Sequence, residues 1–404
     1  MTHKLIEKLA ANDVPKLITR LEQKSVSPFF RTMQSAVGPS VQLEDQRVLM
    51  FGSNNYLGLA ADQRVLHSAK TGILEFGNAT TGSRLLNGSM RLHVDIEQRL
   101  ADWYGAGGAL VFTSGYTANV GTISALVGRG NTVIVDAYAH ASIIDGVRLA
   151  GAQLRWFEHN SVDSLRAALA ETAADPGDVL VIVDGLYSME GSLSPLADIA
   201  SLCRDFGACL MVDEAHSLGI YGARRRGWAE ECGVLDGVDV LMGSLSKGLG
   251  STGGFIVGSE ELIAGLRGSS RSLIFSTSAT PASVAAANAA IRIVMSDEGK
   301  MLATRLEAAS RTLATLLEDR GVRVEGTPGR WSPILPIVIG SDDRAITVWN
   351  EILRGGAYVG LALHPAVPRD RALLRVCVTA AHSPDDLAKV ADVIGNALVA
   401  IAPR

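Results

Sequence analysis

The sequence predicts an α/β protein with a mostly parallel central sheet and a smaller C-terminal α/β domain. From about residue 50 to 285, short apolar runs that end in Gly, Ser or Asp alternate with helix-like stretches. Continuous β-branched runs are typical of strands buried on both faces, and their alternation with helices is typical of a parallel sheet covered on both sides. The predicted strands are Ala109–Gly115, Thr132–Asp136, Val179–Gly185, Cys209–Ser217, Val240–Gly248 and Phe255–Ser259.

After about residue 285 the pattern changes to a long helical stretch, Ala286–Met295 and then Glu298–Arg320. Two strand-like segments, ILPIVIG and LLRVCVTA, follow, and a closing helix starts at Pro384. We therefore expect an N-terminal arm at 1–48, a large domain at 49–288 and a small C-terminal domain at 289–404. Within the arm, one weakly amphipathic helix is predicted from Leu5 to Leu21.

Composition narrows the functional classes. The 404 residues carry a net charge of −5, with no basic stripe interleaved with aromatic residues, so nucleic acid is not an expected partner. Because Cys203, Cys209, Cys232 and Cys377 show no metal-ligand or redox spacing, we expect reduced thiols in a cytoplasmic protein and no metal site.

Membrane insertion is not expected either. The N-terminus is too charged for a signal peptide, and the longest uncharged stretch, Ser272–Ile291, contains Pro281 and many polar residues. The arm could pack on a partner subunit or a membrane surface, although an ordinary docked helix is the simpler interpretation. Any membrane contact is expected to be peripheral.

Ligands of open parallel sheets bind beyond the carboxyl ends of the strands, so the residues that close each run are the candidate site. The first run closes with Thr113-Ser114-Gly115-Tyr116 and leads into a helix. A Gly turn that opens a helix exposes backbone N–H groups to an anion, which makes this turn a candidate phosphate site. The signal is weak alone, because most such turns bind nothing.

Asp213 closes the fourth run, and a buried unpaired carboxylate is costly. A protonated pyridine nitrogen would pair with it and become an electron sink, and His216 could then reach the phenolic oxygen of the ring. A helix cap or an ion pair with an arginine are alternatives for Asp213. His140 follows the TVIVD strand and could stack on a pyridine face, or it could be purely structural.

Lys247 lies in a small Ser/Gly loop after a buried strand, which suits a desolvated, nucleophilic amine better than a solvated surface charge. The hydroxyls of Ser244 and Ser246 beside it could hold a phosphate. A lysine that extends from its loop into solvent is the alternative. The Asp213–His216 pair earlier in the chain favours a Schiff-base lysine.

Ordered motifs from about Phe29 to the C-terminus resemble the α-oxoamine synthase family of fold-type I pyridoxal-phosphate enzymes. These motifs are FGSNNYLGLA (51–60), GSRLLNGSMRLHVDIEQRLADWYG (82–105), VFTSGYTANVG (111–121), AHASIIDGVRL (139–149), LYSMEGSLSPL (186–196), MVDEAHSLGIYG (211–222), MGSLSKGLGSTGGF (242–255), IFSTSATPAS (274–283) and LLRVCVTAAHS (373–383). Bacterial serine palmitoyltransferases and 8-amino-7-oxononanoate synthase are the members it resembles most.

The resemblance implies roles around a pyridoxal-phosphate cofactor. Lys247 would carry it as a Schiff base, Asp213 would pair with the pyridine nitrogen, and His216 would contact the ring oxygen. His140 would stack on the ring face. The further cofactor contacts implied are Ser114, Gly115, Tyr116, Ser188 and Ser244.

It also implies substrate contacts and a partner. Asn54 and Arg375 would hold an amino-acid carboxylate, for which the guanidinium fork of Arg375 is well matched. Because the family builds its sites at a subunit interface, a homodimer is implied, with Thr277 reaching the phosphate of the neighbouring subunit.

The implied reaction joins an amino acid to an acyl thioester with loss of carbon dioxide, giving an α-aminoketone. Lys247 would remove the α-proton. Serine is the favoured amino acid, with alanine or glycine as alternatives, and the donor is an acyl group on coenzyme A or on a carrier protein. The loop at 360–368 departs from the family pattern: it is shorter than usual and contains His364, whose role the pattern does not explain.

Three rival functions remain distinguishable. An aminotransferase of the same fold would use Asp213 and Lys247 but release a keto acid without consuming a thioester. A nucleotide-binding oxidoreductase predicts a G-x-G-x-x-G turn that opens a helix after the first strand, or a Walker loop, and the sequence has neither feature. A catalytically idle binding module would lose the lysine, which is present here.

Overall fold

The computed structural model of the chain describes residues 3–23, 27–172 and 178–401. It confirms the α/β class: a seven-stranded sheet and a five-stranded sheet pack with helices. The predicted domain boundaries remain a prediction. Each predicted domain includes a few positions that lie outside the described residues: 1–2 and 24–26 in the arm, 173–177 in the large domain and 402–404 in the small domain.

The large sheet has the strand order β3-β9-β8-β7-β6-β4-β5, and it is parallel except for β9, which pairs antiparallel with both of its neighbours. Every residue of β6 and β8 is buried, as the unbroken apolar runs predicted. The strands are β3 (Gly108–Phe112), β4 (Thr132–Asp136), β5 (Gln153–Phe157), β6 (Val179–Asp184), β7 (Cys209–Asp213), β8 (Val240–Ser244) and β9 (Gly254–Gly258).

Helices connect these strands and cover the sheet. Several begin at a Ser, Thr or Asp side chain that accepts a first-turn backbone N–H, which is the usual way a helix start is stabilised. The α-helices between residues 63 and 274 are α3 (Gln63–Phe76), α4 (Arg91–Tyr104), α5 (Gly115–Leu126), α6 (Ala141–Ala150), α7 (Val162–Glu171), α8 (Leu196–Phe206), α9 (Trp228–Glu231), α10 (Glu260–Ser269) and α11 (Arg271–Ile274).

The small sheet combines both ends of the chain. Its order is β1-β2-β11-β12-β10, and β2 pairs parallel with β11 through Leu49 and Ala357. The strands are β1 (Ser40–Leu43), β2 (Gln46–Phe51), β10 (Ile334–Gly340), β11 (Ala357–Ala362) and β12 (Ala372–Cys377). Residues just after the N-terminal arm therefore belong to the same sheet as the C-terminal strands.

The C-terminal helices follow the predicted stretches closely. The long helical stretch is two helices, α12 (Pro281–Met295) and α13 (Asp297–Glu318), separated at Ser296. The small sheet is completed by α14 (Asp342–Arg354) and α15 (Pro384–Ala400). Within the described ranges, no helix has the length and apolar character that crossing a bilayer requires.

The prediction of one helix in the N-terminal arm was wrong. The arm has two helices, α1 (Lys4–Ala10) and α2 (Asp13–Gln23), with a turn at Ala11 and Asn12. The physical reason is Pro15: a proline fits only the first turn of a helix, so a new helix has to begin just before it.

Candidate active site

A cavity of about 210 Å³ lies at the carboxyl ends of the parallel strands, where ligand sites of such sheets are expected. Five residues that the sequence did not nominate as contacts also line it: Asn119, Ser142, Asp184, Ala215 and Met242. The predicted site residues that line it are Ser114, Gly115, Tyr116, His140, Asp213, His216, Ser244 and Lys247.

One end of the cavity suits a phosphate. Helix α5 begins at Gly115, directly after Ser114, whose hydroxyl accepts the N–H of Thr117 at 3.1 Å. The first-turn N–H groups of a helix have no partner within it, so those of Gly115 and Tyr116 remain available to an anion. A Cβ at Gly115 would lie 2.9 Å from Met242 Cε, so glycine keeps this end open. Ser244 Oγ, 2.7 Å from Ser246 Oγ, adds hydroxyls beside it.

Asp213 is 4% exposed, and both carboxylate oxygens are held by neutral donors. Asn119 Nδ2 donates to Oδ2 at 2.8 Å, and the N–H of Ala215 donates to Oδ1 at 2.9 Å. No ion pair to an arginine forms within the described parts of the chain, so that alternative is wrong for this carboxylate. A buried carboxylate in a cavity wall with no fixed cation is a site for a cationic ring nitrogen.

Lys247 is half-buried in the cavity wall, and its amine makes no hydrogen bond or ion pair with any described residue. Burial lowers the pKa of Lys247, and the negative charge of Asp213 opposes this shift. A desolvated amine with a lowered pKa is a good nucleophile toward an aldehyde. The alternative of a lysine extended into solvent is therefore wrong.

His140 and His216 line the same cavity and are held differently. His140 precedes α6, and its Nδ1 lies 2.7 Å from Ser142 Oγ. His216 Nδ1 lies 2.7 Å from the hydroxyl of Tyr56. Burial lowers the pKa of both rings, and the positive charges of Lys247 and Arg375 lower that of His216 further. Both imidazoles are therefore neutral near pH 7.

Arg375 of β12 brings the predicted carboxylate site together. Its guanidinium donates to Asn54 Oδ1 at 2.9 Å, to the Ser188 carbonyl, to Cys377 Sγ at 2.9 Å and to the Tyr56 hydroxyl at 3.3 Å. Asn54 and Ser188 thus lie beside Arg375, although Ser188 contributes its carbonyl here. Through Tyr56 the cluster reaches His216 and the cavity.

Two of the residues missed from the sequence have clear chemical roles. Tyr56 lies two positions after Asn54, and nothing in its own position marks its hydroxyl as a link to the cavity. Asp184 ends β6 as Asp213 ends β7, and this shared strand-end position could have identified it. Asp184 Oδ1 is buried without a hydrogen-bond partner, and burial and the nearby charges of Asp213 and Asp136 raise its pKa well above the usual range.

A buried network supports the segment that carries His140. Asp136 Oδ1 lies 2.8 Å from both His159 Nδ1 and the N–H of Tyr138, and His159 Nε2 lies 2.8 Å from Ser192 Oγ. The His159 ring stacks on the Tyr138 ring with centroids 4.4 Å apart. Because Tyr138 precedes His140 by two residues, this network fixes the backbone from which His140 enters the cavity.

Thr277 does not reach the cavity of its own chain. It is exposed and pairs with Ser83 in an isolated antiparallel bridge. Large apolar side chains lie exposed on the two bridged segments: Leu85, Leu86 and Phe275 are 60%, 80% and 70% exposed. Its predicted contact with a neighbouring subunit stays a prediction.

The loop after β11 packs near the carboxylate site. Val367 and Ala362 form a small apolar cluster with Leu373, against which Met189, the neighbour of Ser188, packs. His364 Nδ1 is buried and has no hydrogen-bond partner. The predicted position of this loop over the substrate remains a prediction.

Comparisons with known proteins agree with this geometry. The aminotransferase class I and II family matches residues 46–394. The chain is 40% identical over 399 residues to serine palmitoyltransferase from Caulobacter vibrioides, covering 98% of this chain and 97% of that protein. It is 41% identical over 364 residues to 8-amino-7-oxononanoate synthase from Citrifermentans bemidjiense, covering 90% and 92%.

A solved structure also matches this chain over nearly its whole length. It is a lysine-to-alanine variant of serine palmitoyltransferase from S. paucimobilis with a bound pyridoxal phosphate–myriocin aldimine, 34% identical with a TM-score of 0.93, and the match covers 99% of each chain. The phosphate-sized turn, the unpaired carboxylate and the free amine of this chain fit the same cofactor. The chain therefore belongs to the pyridoxal-phosphate-dependent α-oxoamine synthases, within the aminotransferase class I and II family.

Proposed function

We propose that this enzyme condenses serine with a long-chain acyl thioester, with loss of carbon dioxide, in the manner of a serine palmitoyltransferase. The observation that carries the proposal is the joining of two sites through Tyr56: the cavity with Lys247, and the carboxylate cluster at Arg375. Full-length similarity to serine palmitoyltransferases supports the choice of substrate class.

The cofactor would be held by residues with separate tasks. The α5 N-terminus and Ser244 would bind its phosphate, and Asp213 would hold the proton of its ring nitrogen. His140 would stack on the ring, and Lys247 would carry the cofactor through its amine. When bound, pyridoxal phosphate supplies an electron sink for the carbanion formed at the amino-acid Cα.

The carboxylate cluster has donors left for a substrate. Arg375 uses Nε and Nη1 on protein acceptors and shares only one contact from Nη2, with Tyr56. Asn54 Oδ1 accepts from Arg375, and its Nδ2 donates to no described residue. We infer that one Nη2 proton and Asn54 Nδ2 bind the amino-acid carboxylate, which orients the Cα.

Lys247 Nζ would take the α-proton once the substrate has replaced it on the cofactor. Its lowered pKa, caused first by burial, keeps a fraction of the amine neutral near pH 7, and only the neutral amine can accept a proton. Asp184, which keeps its own proton, adds no second full charge beside Asp213 that would hold the amine protonated.

A second candidate is the related condensation of alanine catalysed by an 8-amino-7-oxononanoate synthase-like enzyme. The 41% identity to the Citrifermentans bemidjiense protein favours it over glycine-specific relatives. The donor is an acyl group on coenzyme A or on a carrier protein. An aminotransferase activity would release a keto acid and would consume no thioester.

We also propose a cytoplasmic homodimer. The exposed apolar side chains Leu85, Leu86 and Phe275 flank the Ser83–Thr277 bridge, and such a patch favours burial in an interface. Thr277 would then contact the cofactor phosphate of the partner. Light scattering of the purified protein tests the dimer, and Thr277→Ala should weaken cofactor retention without changing the mass of the assembly.

The substrate proposal is tested by titrating serine, alanine and glycine into the cofactor-loaded enzyme. Each amino acid is followed by the absorbance of the bound cofactor and then paired with coenzyme A thioesters and carrier-bound acyl groups of several lengths. Serine with a long acyl donor should give carbon dioxide, free thiol and an aminoketone. If none of the thioesters supports turnover, the synthase proposal is refuted. Formation of a keto acid would instead support an aminotransferase.

A further inference from the structure

Among the described residues, the hydroxyl of Tyr56 links the carboxylate cluster to the cofactor cavity by hydrogen bonds. Tyr56 is fully buried. Its oxygen lies 2.7 Å from His216 Nδ1, 3.2 Å from Asn54 Oδ1 and 3.3 Å from Arg375 Nη2. A hydroxyl has one proton, so these three contacts cannot all be donated by Tyr56.

The direction of each contact follows from the chemistry of the partners. A guanidinium only donates, so Tyr56 accepts from Arg375. The hydroxyl proton then goes to His216 or to Asn54. The contact with His216 is shorter by half an ångström and lies at the usual distance for a hydroxyl donor. Asn54 Oδ1 already accepts from Arg375 Nη1 at 2.9 Å. The shorter contact is the better position for the single proton, so we assign it to a hydrogen bond from Tyr56 to His216 Nδ1.

A neutral imidazole carries one N–H, and an Nδ1 that accepts leaves the proton on Nε2. His216 also lines the cofactor cavity. We propose that Tyr56 is a positioning residue that fixes His216 in the Nε2–H tautomer, so that His216 presents a donor to the phenolic oxygen of the cofactor ring. Without this hydroxyl, either tautomer could form, and one of them presents an acceptor instead.

The same hydroxyl couples amino-acid binding to His216, and this part rests on the proposed function. A carboxylate bound at the second Nη2 proton of Arg375 neutralises part of the guanidinium charge. The donation from Arg375 to Tyr56 weakens, and the hydrogen bond from Tyr56 to His216 weakens with it, because donation by a cation polarises the hydroxyl that accepts it. Substrate binding is thereby transmitted to the ring oxygen of the cofactor without direct contact.

The tautomer is tested by nitrogen-15 NMR of the cofactor-loaded enzyme labelled at histidine. The His216 signals are assigned by their loss in His216→Asn. The wild type should show a neutral ring protonated at Nε2. In Tyr56→Phe the ring should become a mixture of tautomers or protonate at Nδ1, and the absorbance maximum of the bound cofactor should move.

The matched control is Tyr104→Phe, which removes another buried hydroxyl, one that donates to the Arg226 carbonyl at 2.7 Å away from the cavity. This variant should leave the His216 signals unchanged. A wild-type His216 that is protonated at Nδ1, or a Tyr56→Phe variant with an unchanged ring, would overturn the proposal. If Tyr56→Phe does not fold, the wild-type tautomer still decides the outcome.

The coupling is tested by adding serine to the wild type and to Tyr56→Phe. Both should bind it, as judged by cofactor absorbance, but only the wild type should show a shift of the His216 signals. Absence of any absorbance change in the wild type would count against serine as the substrate and leave the tautomer assignment intact. Binding without a His216 shift in the wild type would show that the coupling is wrong.

Discussion

Asp184 and Asp213 lie side by side at the ends of the adjacent parallel strands β6 and β7, paired in register. Their environments differ. Both oxygens of Asp213 accept hydrogen bonds, whereas Asp184 Oδ1 has no partner. Two buried carboxylates this close cannot both ionise cheaply, so one keeps its proton. The raised pKa of Asp184 makes Asp184 the member that keeps its proton.

The raised pKa of Asp184 predicts a pH-dependent stability. Its usual value is 3.8, so above about pH 4 the unfolded chain releases this proton while the folded chain keeps it. The free energy of unfolding of the wild type therefore falls as pH rises through that window. Asp184→Asn removes this contribution. The free energy of unfolding of the variant, relative to that of the wild type, should therefore rise by up to about 1.4 kcal/mol for each pH unit.

Denaturant unfolding of the cofactor-loaded proteins at pH 5, 6 and 7 measures this difference. Asp205→Asn on the exposed face of α8 is the matched control and should track the wild type. A constant offset between Asp184→Asn and the wild type across this range would mean that Asp184 is ionised in the fold.

Lys247→Ala should abolish covalent attachment of the cofactor. Wild-type protein treated with borohydride should gain the mass of the reduced cofactor, and the variant should not. The fold should persist, because the Lys247 amine makes no hydrogen bond to a described residue. Without cofactor, the variant should have a thermal midpoint equal to or above that of the cofactor-free wild type. Lys300→Ala in α13, an exposed position, is the control. A reducible link in Lys247→Ala would refute the assignment.

Arg375→Ala and Arg375→Lys should both weaken amino-acid binding. A charged hydrogen bond contributes about 1.5–3 kcal/mol, so the dissociation constant should rise about 10- to 100-fold. Lysine keeps the charge but not the planar fork, so it should restore only part of the affinity. Cofactor content should stay unchanged, as measured by absorbance per subunit. Loss of cofactor with unchanged amino-acid affinity would assign Arg375 to the cofactor instead.

Asn119 should matter for stability through Asp213. Its Nδ2 donates to Asp213 Oδ2 at 2.8 Å and to Ser142 Oγ at 2.9 Å. Asn119→Ala leaves a buried carboxylate oxygen without its donor and should lower the free energy of unfolding by about 1–3 kcal/mol. Asn119→Asp should cost more, because it adds a further carboxyl beside Asp213 in place of a donor. Denaturant unfolding ranks the two variants, and the reverse order would contradict this account.

Much of the site could be predicted because its signals are local. Lys247 and Asp213 each end an apolar run. Burying a charged group is costly, so such a residue at the end of a buried strand indicates a functional site. Tyr56 could not be predicted in this way. Its partner His216 is 160 positions away, so no local pattern around Tyr56 could reveal the contact. The protonation of Asp184 depends on the neighbouring strand, which a single run does not reveal.

The fold was predicted less completely where distant segments meet. Alternating runs predicted the large sheet, because each parallel strand and its helix are contiguous in sequence. The pairing of β2 with β11 joins segments that share no sequence pattern. The break between α1 and α2 was recoverable from Pro15, whose ring excludes it from a helix interior.

The parallel pairing of Leu49 with Ala357 has a consequence for how the protein is made. Strand β2 cannot pair with β11 until residues 357–362 have been synthesised, so the small sheet closes late. The large sheet, whose strands all precede residue 260, has no such delay. Because Arg375 lies on β12 and Asn54 lies shortly after β2, the carboxylate site forms after the strands of the large sheet have been made. A nascent chain would thus acquire its cofactor cavity before it can hold an amino acid.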